Sequence, residues 1–193
     1  VIRSQPSVND WNAIDPNIIV DEKGNPWMTF GSFWGGIQLV QLDKDMKTPV
    51  GAPVTIARRR PADKVAHGNE TANTNAIEAP FIACHDGWYY LFVSYDYCCK
   101  GLSSNYKTAV GRSRKVAGPY VGKDCRPMTE CGGEIIVGES PAYSGVGHCS
   151  VYEIDGKWYF IAHAYDKSRR GASKLFFREI KWEDGWPVIS DAK

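Results

Sequence analysis

A short phrase that occurs twice constrains the fold of this chain more than any other feature. Residues 12–16 read NAIDP and residues 75–80 read NAIEAP, and each copy holds one carboxylate, Asp15 or Glu78, among apolar residues and proline. A weaker third copy begins with GHCSVY at 147–152. A phrase that recurs at a regular spacing predicts a fold made of repeated units.

The repeat aligns Asp15, Glu78 and His148, and the steps between them are 63 and 70 residues. Each copy continues through a glycine turn into an aromatic strand, and no stretch shows the apolar stripe of a helix. About four short strands per unit favour an all-β fold, and a β-propeller over a sandwich. The predicted strands are 18–20, 27–31, 37–42, 54–57, 81–83, 89–95, 106–113, 133–138, 150–154, 158–165, 174–181 and 186–189.

The repeat also predicts the domain organisation. We expect one propeller domain over 1–193, with blade units at about 12–74, 75–146 and 147–193 and a charged loop at 58–74. Three units are too few to close a propeller. Since the chain opens in mid-phrase, we expect that its N-terminal blades are missing.

Charge and composition exclude several functions. The formal net charge is +1, so no basic field favours nucleic acid or an anionic membrane as a partner. No stretch approaches the ~20 apolar residues of a membrane span. Aromatic residues make up 12% of the chain, which suits an all-β core or a surface that stacks on sugars.

The six cysteines do not form a C-x-x-C pair, so a zinc site is not expected. Cys125 and Cys131 are spaced to close a small loop as a disulfide. Cys98 and Cys99 are neighbours, and we do not expect them to bond to each other. Most of the six are predicted to be free thiols.

In a propeller the first strand of each blade lines the central channel, so Asp15, Glu78 and His148 should converge near the axis. A Glu in an apolar run needs a partner, and a protonatable carboxyl in such a setting suits a general acid. Each residue also has a structural explanation, since Asp15 before proline can cap a turn and His148 can be a satisfied polar group.

Six phrases together resemble glycoside hydrolase family 43 and, within it, the endo-1,5-α-L-arabinanases. They span nearly the whole chain in family order, and the set is specific although any one phrase is weak. The phrases are NAIDPNI (12–18), WMTFGSFWGGI (27–37), NAIEAPFI (75–82), YDYCCKG (95–101), VGRS (110–113) and GHCSV (147–151).

The resemblance implies a five-bladed propeller, of which about three blades are present, and inverting hydrolysis of internal α-1,5-L-arabinofuranosidic bonds in arabinan. Glu78 matches the general acid, and Asp15 matches the carboxylate that orients the acid and modulates its acidity. His148 matches a residue that helps to hold an ion, commonly calcium, largely through water. Sodium or water alone are alternatives there.

The family's general base should be an Asp in an upstream H-D-P-like phrase, and the sequence holds no such phrase. We therefore expect the base on a missing N-terminal part, and the chain alone to be inactive or nearly so. Open blade edges invite association, so the partners expected are the missing blades as a separate chain, or a second copy.

Four residues near the carboxylates are candidates for substrate binding. They are Ser32, Trp34, Asn75 and Cys98. Packing is the alternative for Trp34, and a role in the turn is the alternative for Asn75, because Asn12 is its counterpart in the repeat.

Two other functions stay open. One is an arabinofuranosidase or β-xylosidase of the same family, and the other is a carbohydrate-binding propeller without catalysis. Because polymeric arabinan lies outside cells, the substrate implies a secreted or periplasmic protein.

Overall fold

The computed structural model describes residues 2–61 and 75–190, and they form an all-β fold of three four-stranded antiparallel sheets. All twelve predicted strands are present. The strands are β1 (Asn17–Val20), β2 (Pro26–Phe30), β3 (Ile37–Leu42), β4 (Pro49–Ala57), β5 (Ile77–His85), β6 (Trp88–Tyr95), β7 (Lys107–Ser113), β8 (Glu134–Val137), β9 (Tyr143–Ile154), β10 (Lys157–Asp166), β11 (Ala172–Glu183) and β12 (Trp186–Ile189).

Each sheet is an up-and-down meander in sequence order, β1 to β4, β5 to β8 and β9 to β12. Three of the hairpins turn on an Asp-Gly pair, at 86–87, 155–156 and 184–185. The Asp residues have φ of 48°, 52° and 51°, and the glycines have φ of 70°, 77° and 71°. Two left-handed residues in succession are what a tight hairpin matched to strand twist requires, and Asp-Gly provides them at low cost.

The first strands of the three sheets are neighbours, as expected for propeller blades. β1 contacts β5, and β5 contacts β9. The side chain of Asn17 in β1 accepts a hydrogen bond from the backbone of Ile82 in β5 at 2.9 Å. The sheets therefore stand side by side as three blades around a shared channel.

The central sheet, β5 to β8, is packed on both faces. Its contacts with the first sheet include Ile37, Leu39, Ile77, Leu91 and Val93. Its contacts with the third sheet include Phe92, Val110, Phe160, Phe176 and Trp186. Burying each such side chain contributes about 1.5–3 kcal/mol, so these two interfaces hold the blades together.

The third sheet has a second apolar face, which turns away from the central sheet. Phe176 is buried against the central sheet, so its neighbours Leu175 and Phe177 point the other way and are 68% and 45% exposed. Tyr159 stacks on Phe177 with ring centroids 5.0 Å apart, and Ile161 pairs with Phe177. We call Tyr159, Ile161, Leu175 and Phe177 the outer face.

Most of the six cysteines are free, as predicted, but both expectations about pairing are wrong. Cys98 and Cys99 form a disulfide, whereas Cys125 and Cys131 are free. The chain turns at Cys99, which has φ of 68° and whose backbone N–H donates to the Tyr165 hydroxyl at 2.7 Å. The loop around Cys125 and Cys131 is closed instead by backbone hydrogen bonds, including one from Gly132 N–H to the Pro127 carbonyl at 2.9 Å.

Several boundaries differ from the sequence prediction. β9 begins at Tyr143 rather than at 150, and β4 begins at Pro49 rather than at 54. Most of the predicted loop at 58–74 lies outside the described residues, which omit 62–74. Among the described residues, no helix has the length and apolarity needed to cross a membrane.

Candidate active site

The three repeat units share a backbone irregularity where each first strand enters the channel. Asp15, Ala79 and His148 have φ of 57°, 51° and 52°, the left-handed region that residues other than glycine rarely adopt. In β5 and β9 this point coincides with a shift in strand register. Such bulges redirect side chains and are common beside active sites.

The predicted equivalence of Asp15, Glu78 and His148 is therefore one residue off in the second unit. The left-handed residue there is Ala79, because the phrase NAIEAP is one residue longer than NAIDP. Glu78 precedes the bulge and keeps a regular strand pairing with Ser94.

Asp15, Glu78 and His148 converge as the repeat predicted. Asp15 Oδ2 accepts a hydrogen bond from the backbone N–H of Ala79 at 3.2 Å, and Asp15 Oδ1 lies 3.9 Å from His148 Nε2. Burial raises the pKa of Asp15 above its usual range, the nearby His148 opposes this rise, and Glu78 adds to it. Asp15 and His148 line a cavity of about 340 Å³ in the channel.

The half-buried Glu78 carboxylate is held at both oxygens. Ser32 Oγ donates to Glu78 Oε2 at 2.8 Å, and Tyr106 Oη donates to Glu78 Oε1 at 2.7 Å. Ser32 and Glu78 also form a backbone bridge between the first and second sheets. A carboxyl fixed in this way is oriented for proton transfer to a group in the channel.

Of the two residues that hold Glu78, Ser32 is predicted from the sequence and Tyr106 is not. Tyr106 lies just before β7, and its contact with Glu78 depends on the register of β5, β6 and β7. The spacing of residues in the sequence does not predict that register. The sequence therefore predicts Tyr106 only as a residue of the strand 106–113.

Asn75 is buried, and its side-chain amide is used by the protein backbone. Asn75 Nδ2 donates to the Trp34 carbonyl at 2.8 Å, and Asn75 Oδ1 accepts from the backbone N–H groups of Arg59 and Arg60 at 2.8 and 3.0 Å. These contacts favour a structural role for Asn75 in the turn over a role in substrate binding. The side chain of Trp34, in the loop that Asn75 holds, is partly exposed.

The loop with Cys98 lies at the same end of the blades as Glu78. Glu78 pairs with Ser94 near the end of β6, and the loop follows that strand. Cys98 is partly buried, and the preceding Tyr97 lies with its ring centroid 6.0 Å from that of Phe33. The loops after β2 and after β6 thus meet beside the Glu78 carboxylate.

His148 lies beside a single carboxylate. Its side chain is 53% exposed, and Asp15 is the carboxylate beside it. Within residues 2–61 and 75–190, no group of three His, Cys, Asp or Glu side chains is placed to hold a metal. One imidazole and one carboxylate fit an ion that keeps most of its water ligands.

Comparison with known proteins identifies one family and several similar proteins. A sequence profile described as "Glycosyl hydrolases family 43" matches residues 2–187. The chain is 41% identical over 187 residues to the extracellular endo-α-(1→5)-L-arabinanase 1 of Bacillus subtilis, and the match covers 97% of this chain and 53% of that protein. It is 39% identical to the extracellular exo-α-(1→5)-L-arabinofuranosidase ArbA of Cellvibrio japonicus, covering 99% of this chain and 55% of that protein.

Solved structures share the fold. An exo-1,5-α-L-arabinanase from a bovine ruminal metagenomic library superposes with a TM-score of 0.90 at 56% identity, over 99% of this chain and 61% of that one. A Cellvibrio cellulosa α-L-arabinanase in complex with arabinohexaose superposes with a TM-score of 0.92 at 39% identity, over 98% and 61%. The chain therefore spans about half the length of its curated relatives and about three-fifths of these structures.

Proposed function

Because the chain belongs to glycosyl hydrolase family 43, we propose that it carries the general acid of an enzyme that cleaves α-1,5-linked arabinan. The observation that carries this proposal is the Glu78 carboxyl, which Ser32 and Tyr106 hold at both oxygens beside Asp15. The names of the relatives, which are arabinanases and an arabinofuranosidase, support arabinan as the substrate class.

The proposed reaction is a single displacement. Glu78 gives its proton to the glycosidic oxygen as the bond between that oxygen and the anomeric carbon breaks. A water molecule, deprotonated by a second carboxylate, attacks the anomeric carbon from the opposite side. The product sugar then has the inverted configuration, and the proton removed from water resides on the base.

Asp15 is proposed to orient the acid. Its carboxylate is anchored to the backbone of Ala79, the residue after Glu78, so the two acidic groups keep a fixed relation. A neighbouring carboxylate disfavours a second negative charge close by. This arrangement suits a pair in which one member is to be protonated before the reaction.

The general base is proposed to come from a further part of the propeller, on the N-terminal side in the complete protein. Two observations support this. The chain matches about three-fifths of the length of related structures, and its third sheet presents an apolar outer face that another blade could cover. We propose that blades beyond these 193 residues, in the same polypeptide or in another, close the ring and supply the base.

Two further features are proposed on the same basis. His148 would help to hold a hydrated ion, calcium or sodium, whose charge would fix the polar floor of the channel beside Asp15. The protein is proposed to act outside the cytoplasm, since arabinan is extracellular and both curated relatives are named extracellular.

Exo-action on arabinan is the second candidate. It is favoured by the 56% identity to a structure named as an exo-1,5-α-L-arabinanase. The products separate the two modes, since endo-cleavage of linear arabinan releases a ladder of oligosaccharides early, whereas exo-cleavage releases one short product throughout. A binding protein without catalysis would bind arabino-oligosaccharides and release nothing.

Replacing the acid tests the proposal. In the assembled protein, Glu78→Gln should lower kcat on linear arabinan by about 10²–10⁴-fold, because general acid catalysis has that magnitude. Proton NMR of the first product tests the inversion. Unchanged hydrolysis by the variant, or a product that retains its configuration, would contradict the proposed mechanism.

A further inference from the structure

The loop after β2 has a backbone conformation that its own residues disfavour. Phe33 and Trp34 have φ of 55° and 37°, so two bulky residues in succession adopt the left-handed region. Such a conformation is costly and persists only where the surrounding structure fixes it. The loop begins with Ser32, whose hydroxyl donates to Glu78 Oε2 at 2.8 Å. We call residues 32–36 the Ser32 loop, and the contacts that hold it also fix the hydroxyl beside Glu78.

The side chain of Asn75 joins the Ser32 loop to the end of β4. It is fully buried, and its Nδ2 donates to the Trp34 carbonyl at 2.8 Å. Its Oδ1 accepts from the backbone N–H groups of Arg59 and Arg60 at 2.8 and 3.0 Å. An amide has donors on one atom and an acceptor on the other, and these three partners match that arrangement. A carboxylate here would keep both acceptor contacts and lose the contact with Trp34.

Two glycines let the Ser32 loop lie directly against neighbouring backbone. A Cβ atom on Gly35 would lie 2.3 Å from the Asp10 carbonyl oxygen, and one on Gly36 would lie 2.3 Å from the Ala57 carbonyl oxygen. The Gly35 N–H donates to the same Asp10 carbonyl at 2.8 Å. The loop is thus held by backbone on one side and by the Asn75 amide on the other.

The Ser32 loop is also tied to the strand that carries Glu78. The Phe33 N–H donates to the carbonyl of Ile77 at 2.7 Å, and Ile77 directly precedes Glu78. The Phe33 ring lies with its centroid 6.0 Å from that of Tyr97. A shift of the loop would therefore move the Ser32 hydroxyl relative to Glu78.

The first copy of the repeated phrase uses its Asn side chain differently. The backbone turn is the same in both copies, because the Ile14 N–H donates to the Asn12 carbonyl at 3.0 Å and the Ile77 N–H donates to the Asn75 carbonyl at 2.8 Å. Asn12 Oδ1, however, accepts from the Ser4 hydroxyl at 3.3 Å. The turn explains an Asn in both copies, whereas the anchored loop belongs to the second copy, which carries Glu78.

We infer that Asn75 is a positioning residue that acts on Glu78 through the Ser32 loop. Its amide holds the Trp34 carbonyl, the loop keeps its left-handed backbone, and the Ser32 hydroxyl thereby reaches Glu78 Oε2. The inference rests on the proposed role of Glu78 as the general acid. A reacting group that is held in one orientation reacts faster than one that rotates, so the anchor contributes to the rate of protonation.

Kinetics of Asn75→Asp in the assembled protein test the inference. We expect kcat on linear arabinan to fall about tenfold or more, since small errors in placing a reacting group cost up to about 10² in rate. A dinitrophenolate leaving group departs without protonation, so on an aryl arabino-oligosaccharide of that kind kcat should stay within about threefold of the wild type. A loss that is the same on both substrates would overturn the inference in favour of a general structural role.

A double-mutant cycle tests whether Asn75 acts through Ser32. Residues that act through a shared contact have non-additive effects. Ser32→Ala combined with Asn75→Asp should therefore have a kcat on arabinan within about twofold of Ser32→Ala alone. Losses that multiply in the double variant would show that Asn75 does not act through the Ser32 hydroxyl.

Gly35→Ala perturbs the Ser32 loop from its other side and leaves Asn75 in place. The added Cβ meets a backbone oxygen, so the loop must shift, and kcat should fall on arabinan but not on the aryl substrate. This variant decides the test if Asn75→Asp does not fold. Tyr120→Phe is the control, because it removes a buried hydrogen bond to the Val116 carbonyl and should lower neither rate.

Hydrogen exchange in this chain alone separates the inference from the proposed function. The side-chain amide protons of Asn75 and the Phe33 N–H should exchange slowly in the wild type. The Phe33 N–H should exchange at least about tenfold faster in Asn75→Asp and at the wild-type rate in Tyr120→Phe. Free exchange of the Asn75 amide in the wild type would overturn the anchor. If the exchange result holds but Glu78→Gln leaves arabinan hydrolysis intact, the proposed function and the positioning role fail together, whereas the anchored loop stands.

Discussion

The central and third sheets are built in the same way but have different surroundings. Both have strands with large apolar side chains on two faces. In the central sheet both faces are covered, and Phe92 and Leu91 on opposite faces of β6 are fully buried. In the third sheet Phe176 is buried, while the adjacent Phe177 is 45% exposed.

Strands that are apolar on both faces are typical of sheets that are covered on both sides. An exposed apolar face of several large side chains marks an interaction surface. The outer face of the third sheet therefore has the composition of a blade interface without a blade on it. The comparison teaches that burial in this chain follows from the presence of a neighbouring sheet.

The largest effect expected from the comparison is on stability. Phe92→Ala should lower the free energy of unfolding by about 3–5 kcal/mol, because it removes a buried aromatic side chain and leaves a cavity. Phe177→Ala should cost less than about 1 kcal/mol in the chain alone, as surface substitutions usually do. Urea unfolding measures both. Similar losses would mean that the outer face is already covered in solution, by a second copy of the chain.

Association is the next effect. Phe177→Lys should leave the chain folded but weaken its binding to the N-terminal blades of an arabinanase relative by about 2 kcal/mol or more, the size typical of a central interface residue. Met46→Lys is the control, because Met46 is 49% exposed in the turn between β3 and β4 of the first sheet, whereas the outer face belongs to the third sheet. Light scattering measures association between copies of the chain, and titration calorimetry measures binding of the chain to the other blades. If both variants bind the complement equally well, the outer face is not the interface.

A smaller effect on stability is expected from the charge of the Asp96 carboxylate. Asp96, at the end of β6, accepts from Arg59 Nε at 3.0 Å and lies 2.8 Å from Lys107 Nζ. Burial acts to raise its pKa, but the hydrogen bonds and charges of Arg59 and Lys107 lower it overall. A lowered pKa means stability that is present above the unfolded value of about 3.9 and is lost as pH falls through the folded value.

Asp96→Asn should therefore cost about 1–2 kcal/mol at pH 7, and the difference from the wild type should shrink as the pH falls below about 4. Glu139→Gln is the comparison in the third blade, because Glu139 pairs with Lys167 at 2.7 Å but is 70% exposed. It should change stability little, since exposed ion pairs contribute little. A loss in Asp96→Asn that is equal at pH 7 and pH 3 would exclude the charge as its source.

Much of the fold could be predicted from the sequence because its signals are local. The Asp-Gly turns at 86–87, 155–156 and 184–185 mark hairpins, and the aromatic strands beside them alternate in a regular way. The repeat then places Asp15, Glu78 and His148 at one end of the first strands. Strand starts such as Tyr143 and Pro49 were missed because pairing with a neighbour, rather than composition, extends those strands.

The details of the site that the sequence does not predict depend on contacts between distant residues. Tyr106 reaches Glu78 only through the register of three strands, and Asn75 is buried because two loops meet over it. The Cys98–Cys99 bond depends on a left-handed turn that the sequence does not indicate. Local pattern thus predicts which residues enter the channel, and tertiary packing decides which of them hold the acid.

Hydrolysis of linear arabinan by the chain alone, and by the chain mixed with the missing part of the propeller, is the most direct measurement. That part is taken from an arabinanase relative, and the intact mass of each sample is checked under denaturing conditions. We expect no hydrolysis by the single chain, hydrolysis by the mixture, and its loss in a mixture that carries Glu78→Gln. Hydrolysis at an ordinary rate by the single 193-residue chain would contradict the division of acid and base between two parts.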